Sequence, residues 1–419
     1  MAMDLTDEQE YDALRMRQWL AGEADARGLS RRQLFRLGAG AAAAATLPAI
    51  AGATPAHAAD PAPAGPIRKP LPPELFYTFG TNAETRWEAM AGQGYFTPVD
   101  RFFVRNHTST PTVDEHTWRL QLFGSGLRHG PVDFSYRDLR RLPSVTHEAL
   151  VECAGNGRSF YTTQQGQPVS GTAWKLGAVG AARWRGVPLS TVLHRAGIRP
   201  DAVDVLPEGL DDEWVNAGVN LGRVRRPLPV AKALHDVLLA YEMNGAPLPA
   251  DHGFPVRLIV PHWIGISAIK WIGRIEVSTT PLFSPWNTQF YRLFGPGYPA
   301  AGELIGRQVV KSAFELPWSA TLTGARTHVL HGRSWSGNGP IRHVEISTDG
   351  GTVWRPATKV GHGDAWQRWS YRWRPAGPGS YTLRARAVDV TGAGQPAQSR
   401  FNTLGYLFDA IVAHPVTVA

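Results

Sequence analysis

Cysteine is almost absent from this sequence, since Cys153 is the only one in 419 residues. A single thiol cannot form an internal disulfide, and it cannot by itself supply the ligands of a structural zinc or iron–sulfur site. There is also no CxxCH motif for covalent haem. Any chemistry at Cys153 therefore needs a partner other than a second cysteine of this chain.

Charge clusters and long apolar runs are scarce as well. Charged residues make up 19% of the chain, and its net charge of +8 arises from arginines scattered along it. Without a basic helix or a long basic run, the positive charge favours small anionic ligands and not nucleic acid. After residue 59 no apolar segment has the length of a membrane span, so we expect a soluble mature protein with room for two domains.

Residues 1–59 have the pattern of an export leader. Arg31 and Arg32 precede a weakly apolar run from Leu37 to Ala53, and Ala56-His57-Ala58 has the small-x-small form of a cleavage site. This order resembles the twin-arginine signal, which would send a folded protein to the periplasm or outside the cell. An ordinary alanine-rich helix is the alternative. The stretch before the arginine pair is unusually long, so the true start methionine stays open.

Composition and periodicity divide the remaining chain into a proline-rich linker (60–73), a first domain (74–306) and a second domain (307–419). In the first domain, residues 118–124, 147–153, 254–261 and 267–278 are predicted strands. Pro188 is predicted to start a short helix that has Leu189, Val192 and Leu193 on one face.

The second domain has the alternation typical of strands. Residues 369–373 and 380–390 each place aromatic or apolar side chains on one face, and Asp349-Gly350-Gly351 has the form of a hairpin turn. Short strands separated by glycine and proline predict an immunoglobulin-like β-sandwich. The expected fold class is therefore α+β.

Cys153 ends a predicted strand and enters a polar, glycine-rich turn, AGNG, that is followed by Arg158. A thiolate in such a turn is a nucleophile or a metal ligand, whereas many free cysteines are only small buried hydrophobes. A cysteine hydrolase would also need a histidine base with an orienting Asn or Asp. With 14 histidines in the chain, that requirement selects no residue.

Two further clusters combine polar groups with apolar neighbours. Arg105, Asn106 and His107 are adjacent in FFVRNH (102–107), which indicates a loop around a polar ligand or a solvated loop. The apolar stretch 251–273 is interrupted by three basic residues, His252, Arg257 and Lys270. Buried cations are costly unless they meet an anion, and arginine with lysine suits phosphate. Together these residues favour an anionic cofactor.

Four motifs resemble the sulfite oxidase family of molybdopterin enzymes: FFVRNH, the ECAGNxR turn, LLAYEMNGAPLPADHGFPVRLIVP and the IKW stretch at 269–271. Their order and approximate spacing match the family from about residue 95 to the C-terminus. The resemblance implies a mixed α/β cofactor domain followed by an immunoglobulin-like domain through which two copies form a homodimer.

The resemblance also implies a role for each matching residue. Cys153 would bind the molybdenum of the cofactor, while Arg158, Trp174 and Tyr291 would line the substrate pocket. Seven residues would hold the pterin and its phosphate: Arg105, Asn106, His107, Asp211, His252, Arg257 and Lys270.

The sequence departs from the family at three points. It lacks the haem domain of the animal enzymes, so electrons are expected to pass to a separate acceptor, such as a c-type cytochrome, or to oxygen. Gly157 replaces a second arginine of the cysteine turn, and Leu404 stands where a substrate-binding arginine is expected. Loss of these cations weakens the case for sulfite.

The expected activity is oxygen-atom transfer at molybdenum, with sulfite as substrate and sulfate as product. A sulfoxide reductase, acting for instance on methionine sulfoxide, is an alternative on the same fold, and the missing arginine favours it because a sulfoxide carries no net charge. A cofactor-free exported binding protein and a cysteine hydrolase are alternatives of other classes.

Overall fold

The computed structural model describes residues 6–27, 66–216, 218–300, 302–305, 307–324 and 326–419. The predicted twin-arginine pair, the apolar run and the cleavage site lie outside the described residues, as does the first part of the predicted linker. Within the described part, no helix has the length and apolar character needed to cross a membrane.

Short helices and many strands make up the described chain. The α-helices are α1 (Glu8–Arg27), α2 (Tyr136–Arg141), α3 (Ser159–Gln165), α4 (Leu189–Arg195), α5 (Val230–His235) and α6 (Pro285–Thr288). The single-turn 3-10 helices are Trp87–Met90, Val99–Arg101, Ala250–His252 and Gly265–Ser267. The strands up to residue 305 are β1 (Phe76–Phe79), β2 (Asn82–Thr85), β3 (Arg119–Phe123), β4 (Val132–Ser135), β5 (Val145–Glu152), β6 (Val179–Pro188), β7 (Asp204–Gly209), β8 (Val215–Asn216), β9 (Val219–Asn220), β10 (Leu228–Pro229), β11 (Leu238–Met243), β12 (Ala246–Pro247), β13 (Arg257–Ile259), β14 (Ile272–Ser278), β15 (Arg292–Leu293) and β16 (Glu303–Leu304).

The first domain contains two five-stranded sheets. One has the order β10-β7-β14-β3-β4, and the other has the order β12-β11-β6-β5 with β13 paired to β11. The largest apolar core takes residues from both sheets, including Leu120 and Ile275 of the first and Leu239 and Leu258 of the second. This shared core fixes the sheets relative to each other, and with them the loops at their ends.

Most predicted elements of the first domain are present, and one begins late. Strands β3 and β5 and helix α4 lie where the sequence predicts them. The strand predicted at 267–278 begins only at Ile272, because a 3-10 turn ends at Ser267 and Trp271 has a left-handed φ of 52°. Lys270 therefore lies in a turn and not within a strand.

The second domain consists of two sheets around one core. Its strands are β17 (Lys311–Phe314), β18 (Ala320–Leu322), β19 (His328–Trp335), β20 (Ile341–Ser347), β21 (Arg355–Pro356), β22 (Thr358–Val360), β23 (Gln367–Trp373), β24 (Gly379–Asp389) and β25 (His414–Val418). The sheet orders are β17-β19-β23-β22 and β18-β25-β24-β20-β21. Trp369 and Trp373 of one sheet share a core with Leu383 and Ala385 of the other. The arrangement is a β-sandwich, and its immunoglobulin-like type stays a prediction.

The segment between β24 and β25 leaves the sandwich and packs against the first domain. The Leu407 N–H donates to the Ala154 carbonyl at 2.8 Å. The Tyr161 hydroxyl donates to the carbonyls of Arg400 and Tyr406, both at 3.1 Å. Residues far apart in sequence thus meet at the turn that follows Cys153.

Helix α1 differs from the sequence analysis, which placed residues 1–59 outside the fold. Its residues 8, 11, 12, 15 and 16 are buried against the first domain. Three of these five are charged, so the buried stripe has no hydrophobic periodicity to reveal it. The leader prediction itself concerns residues outside the described part.

Candidate active site

A cavity with an empty volume of about 730 Å³ lies beside the turn after β5. The structure brings eight of the predicted binding and metal-ligand residues, and Tyr291, to its wall. They are Cys153, Arg105, Asn106, His107, Asp211, His252, Arg257, Lys270 and Tyr291.

The cysteine turn is held by backbone and buried ionic contacts. The Cys153 N–H donates to the Ala178 carbonyl, and the Cys153 carbonyl accepts from the Asn156 N–H, both at 2.9 Å. Glu152 is buried in an ion pair with Lys311 of the second domain at 2.7 Å, and it also accepts from the Asn156 side chain at 2.9 Å. The half-buried thiol of Cys153 therefore has a fixed place on the cavity wall.

Three cations, the buried Arg257 and the half-buried Arg105 and Lys270, line the cavity without a carboxylate partner. Among the described residues, no Asp or Glu lies within salt-bridge distance of Arg105, Arg257 or Lys270. Arg257 donates instead to the carbonyls of His252 and Ala268 at 3.0 and 3.1 Å. Burial lowers its pKa to about 9.

Lys270 is in a similar position. Burial lowers its pKa well below the ordinary value, and repulsion from Arg257 adds to the effect. Its ammonium group donates to the Asn106 side chain and to the backbone carbonyl of Asp251. Buried charges without counter-ions are costly, so an anion in this cavity would stabilise all three cations.

The two cavity histidines are neutral. Burial, followed by the charge of Arg105, holds the pKa of His107 well below its usual value. Its Nε2 accepts from Trp286 Nε1 at 3.1 Å and faces Arg105 Nη2 at 3.0 Å, so the proton resides on Nδ1. Burial also lowers the pKa of His252. Because the buried Nε2 of His252 has no partner in the described part, it can take up a polar ligand atom.

Two acidic residues, Asp211 and Asp251, line the cavity and differ in their roles. Burial raises the pKa of Asp211 to about 6, which makes it a hydrogen-bond donor in mildly acidic solution. Asp251 also lines the cavity, and the sequence analysis did not single it out. It accepts from the backbone N–H groups of Arg68 and Lys69 and from the Thr110 hydroxyl. In the sequence, the only local sign that Asp251 belongs to the site was its position next to His252.

Behind Tyr291 on the cavity wall lie a second, stacked tyrosine and an arginine. Tyr291, with a left-handed φ of 58°, stacks on Tyr406 with ring centroids 5.4 Å apart and an interplanar angle of 11°. The guanidinium carbon of Arg158 lies 5.1 Å from the centre of the Tyr406 ring. Arg158 also donates to the carbonyls of Leu404 at 2.8 Å and Thr172 at 3.0 Å. Tyr406 was missed because it lies 253 residues from Cys153 in sequence.

Arg158 and Trp174 lie behind the cavity and not on its wall. Trp174 is 1% exposed and packs edge-on against Phe79 at 5.5 Å. It belongs to an apolar cluster against which Cys153 also packs. Tyr291 on the wall stacks on Tyr406, and the Tyr406 ring in turn contacts Arg158. Both Tyr406 and Arg158 interact electrostatically with Tyr291.

Gly157 has a structural reason for lacking a side chain. Its φ is +93°, and an added Cβ would lie 3.0 Å from the Phe408 side chain. An arginine at this position would therefore be strained and would collide with the returning C-terminal segment. The backbone conformation and the packing of this chain therefore disfavour an arginine at residue 157.

A metal at Cys153 would have to bring most of its ligands with it. In the described part of the chain, no group of three or more His, Cys, Asp and Glu side chains is arranged to hold a metal ion. One soft thiolate beside a cation-lined cavity suits a redox metal carried by an anionic organic ligand.

The cysteine-hydrolase alternative has no support here, since no histidine of the described residues is hydrogen-bonded to Cys153.

Buried Glu84 supports the segment after Trp174 and makes stability depend on pH. It accepts from the backbone N–H groups of Lys175 and Gly177 at 2.9 and 2.7 Å. Burial raises its pKa from 4.5 to about 7. The folded state thus favours the protonated form, and this contribution is complete below pH 4.5 and lost as the pH rises through 7.

We expect the free energy of unfolding of the wild type to fall by up to about 3 kcal/mol through this group between mildly acidic and alkaline pH. Glu84→Gln, which cannot ionise, should remove this part of the pH dependence. Urea unfolding of both proteins at about pH 5 and about pH 8 measures the effect. Equal pH dependence in the two proteins would contradict the assignment.

Comparisons with known proteins place this site in a family. Residues 107–286 match the family model described as the oxidoreductase molybdopterin binding domain. The chain is 33% identical over 363 residues to mouse mitochondrial sulfite oxidase, an alignment that covers 81% of this chain and 64% of the mouse protein. It is 31% identical over 358 residues to barley nitrate reductase [NAD(P)H], covering 78% of this chain and 40% of the barley protein.

A solved structure is similar as well. The sulfane dehydrogenase SoxCD from Paracoccus pantotrophus matches with a TM-score of 0.69 and 29% identity, covering 79% of this chain and 83% of that chain. By contrast, the chain spans less than two thirds of the length of the curated relatives named above. The matched cofactor domain contains most of the cavity wall, and the chain belongs to the sulfite oxidase family of molybdopterin oxidoreductases.

Proposed function

We propose that the protein catalyses a two-electron oxygen-atom transfer in which sulfite is oxidised to sulfate. The observation that carries this proposal is the placement of the Cys153 thiol on one cavity with three cations that lack a carboxylate partner, next to an arginine and two stacked tyrosines. The cations suit an anionic cofactor, and the arginine suits an oxyanion substrate. Relatives named as sulfite oxidases support the choice of substrate.

The described residues fit a molybdopterin cofactor. When bound, the cofactor supplies the redox chemistry and the transfer of oxygen. Cys153 would provide a thiolate ligand to the metal, and Arg105, Arg257 and Lys270 would neutralise the anionic organic part. The unpartnered Nε2 of His252 would gain a hydrogen bond.

The protein's own residues would bind and orient the substrate. Arg158 is held by two carbonyls and by the Tyr406 ring, so its charge is fixed in place before a substrate arrives. The phenol of Tyr291 lies on the cavity wall within the electrostatic influence of Arg105 and Cys153. Burial raises the pKa of Tyr291, which keeps the phenol protonated and able to donate a hydrogen bond.

The overall reaction requires an electron acceptor. Sulfite and water give sulfate, two protons and two electrons, and the electrons must leave the site. We infer a separate acceptor such as a c-type cytochrome.

From the sequence we also infer export by the twin-arginine route and a homodimer formed through the second domain.

Reduction of a neutral sulfoxide is a second candidate on the same site. The favouring observation is that Leu404 offers only its carbonyl to Arg158, so the C-terminal segment adds no second cation there. The same feature is compatible with other sulfur substrates, including the sulfane sulfur named for the similar SoxCD structure. Substrate charge is therefore the property to test.

Metal analysis and paired assays test the proposal. About one molybdenum per chain is expected, which would exclude the cofactor-free binding protein. Molybdenum-loaded protein should oxidise sulfite with an artificial electron acceptor much faster than it reduces methionine sulfoxide with an artificial donor. Loaded protein that reduces the sulfoxide and leaves sulfite unchanged would overturn the assignment in favour of the second candidate.

Tyr406 should position Arg158 through its ring and not through its hydroxyl. We expect Tyr406→Phe to keep the KM for sulfite near that of the wild type, because the stacked ring remains. Tyr406→Ala should raise KM by about fivefold with a smaller effect on kcat, since a cation–π contact contributes about 1 kcal/mol. Steady-state kinetics of the two variants separate these effects, and equal losses in both would assign the role to the hydroxyl.

A further inference from the structure

Helix α1 contacts the first domain through charged side chains, and these are buried both on the helix and on the domain. The side chains of Glu8, Asp12 and Arg226 are fully buried at their contact, where Arg226 Nη2 pairs with both carboxylates. A second pair joins Arg15 to Asp204, whose Nη2 and Oδ1 atoms lie 2.7 Å apart. Isolated buried charges would be costly, so each side of this contact needs the other.

Apolar and backbone contacts extend the same surface. Tyr11 is fully buried, and its ring lies 6.2 Å from that of Trp263. Trp263 Nε1 donates to the Thr6 carbonyl at 3.0 Å. The docking surface for α1 is therefore defined by Asp204, Arg226, Trp263, Ile264 and Ser267.

The Glu8 carboxylate reaches one wall of the cofactor cavity directly. It accepts from the Ile264 N–H at 2.9 Å and from the Ser267 hydroxyl at 3.2 Å. These groups begin and end the turn that contains Gly265 and Ile266, and both of those residues line the cavity. The helix thus fixes the backbone immediately before Lys270.

A second route runs through Arg226. Its Nη1 donates to the Trp286 carbonyl, and Trp286 Nε1 donates to His107 Nε2 at 3.1 Å. His107 lines the cavity beside Arg105. The same helix is thereby connected to two separate walls, one bearing Lys270 and the other bearing Arg105.

We propose that Glu8–Arg27 is an intramolecular ligand of this docking surface, and that it holds two walls of the cavity in the form that retains the anionic cofactor. Docking and cofactor binding then stabilise each other, as linkage requires of two events that favour the same arrangement. If residues 1–59 are removed on export, as the sequence predicts, this support acts on the precursor and is withdrawn afterwards. The inference rests on the proposed cofactor and is independent of the substrate.

Glu8→Gln in the full chain tests the proposal, because with almost no change in shape it replaces one of the two oxygens that accept from Arg226, Ile264 and Ser267 by an NH2 group, which cannot accept. Arg17→Gln, on the exposed face of the same helix, is the matched control. The first readout is hydrogen exchange of the α1 amides in cofactor-loaded and cofactor-free protein. We expect exchange of α1 to be at least about tenfold slower in the loaded wild type, and faster in Glu8→Gln than in the control.

The second readout is the rate at which loaded protein loses its pterin, followed by the fluorescence of the released compound. Glu8→Gln should release pterin at least about tenfold faster than wild type and Arg17→Gln. Freely exchanging α1 amides in loaded wild type would overturn the docking. Faster α1 exchange in Glu8→Gln with an unchanged rate of pterin loss would overturn the coupling. Neither readout uses sulfite, so a wrong substrate would leave both results interpretable.

Discussion

Cys153→Ser is expected to lower kcat for sulfite by at least about 100-fold, since even the outer partners of metal ligands commonly contribute 10- to 100-fold. A hydroxyl is a harder and far less acidic ligand than a thiol, so it binds a soft redox metal poorly. The substitution changes one atom, and the turn is held by backbone bonds to Ala178 and Asn156 that serine keeps. We therefore expect the fold to survive.

The location of the cations predicts that Cys153→Ser still binds the organic part of the cofactor. Arg105, Arg257 and Lys270 would hold the organic part of the cofactor, so the pterin content of Cys153→Ser should stay near that of the wild type. Kinetics, metal content, pterin content and thermal unfolding of the purified variant give the four measurements. A serine variant with wild-type kcat would show that the thiol is not a metal ligand.

Arg158→Gln is expected to lower kcat/KM for sulfite by about 10- to 100-fold, because it removes the positive charge behind Tyr291 that would attract an oxyanion to the cavity. Arg158 is 7% exposed and lies among Gly155, Gly171 and Gly405, where an added Cβ would meet its side chain. Glutamine can still donate to a carbonyl there, but it offers no charge to an oxyanion.

Two comparisons make this result specific. Arg158→Lys keeps the charge without the planar fork, so it should recover part of the loss for sulfite. Any turnover of neutral methionine sulfoxide should fall much less in Arg158→Gln than sulfite oxidation does. Equal losses with both substrates would indicate that Arg158 supports the fold of the pocket and not the charge of the substrate. Thermal unfolding of both variants serves as the control for folding.

Local sequence patterns predicted those helices and strands whose apolar residues follow a regular spacing. Alternating apolar residues located β3 and β24, and the leucines and valine after Pro188 located α4. Cations inside an apolar stretch indicated that Arg257 and Lys270 share an anion site, and both lie on one cavity. The inference rests on the cost of burying an unpaired charge in any fold, and the anion itself stays a prediction.

Contacts between distant segments could not be predicted in the same way. The return of residues 400–408 to the cysteine turn places Tyr406 on Tyr291. The family resemblance indicated Tyr291, whereas nothing in the sequence indicated Tyr406. The late start of β14 depends on Trp271, whose left-handed backbone no propensity indicates. Helix α1 was assigned to the leader because it precedes the arginine pair, and its charged face gave no contrary signal, since the partners of those charges are visible only in the folded chain.

The sequence by itself thus determined the chemistry that is available: one thiol, a set of cations with apolar neighbours and a fold that mixes helices with sheets. Tertiary structure decided which of these groups meet, which residue approaches Arg158, and that Glu8 supports the wall beside Lys270. The physical reason is that residue type fixes the cost of burying a group, whereas its compensation depends on partners that only the folded chain brings within hydrogen-bond distance.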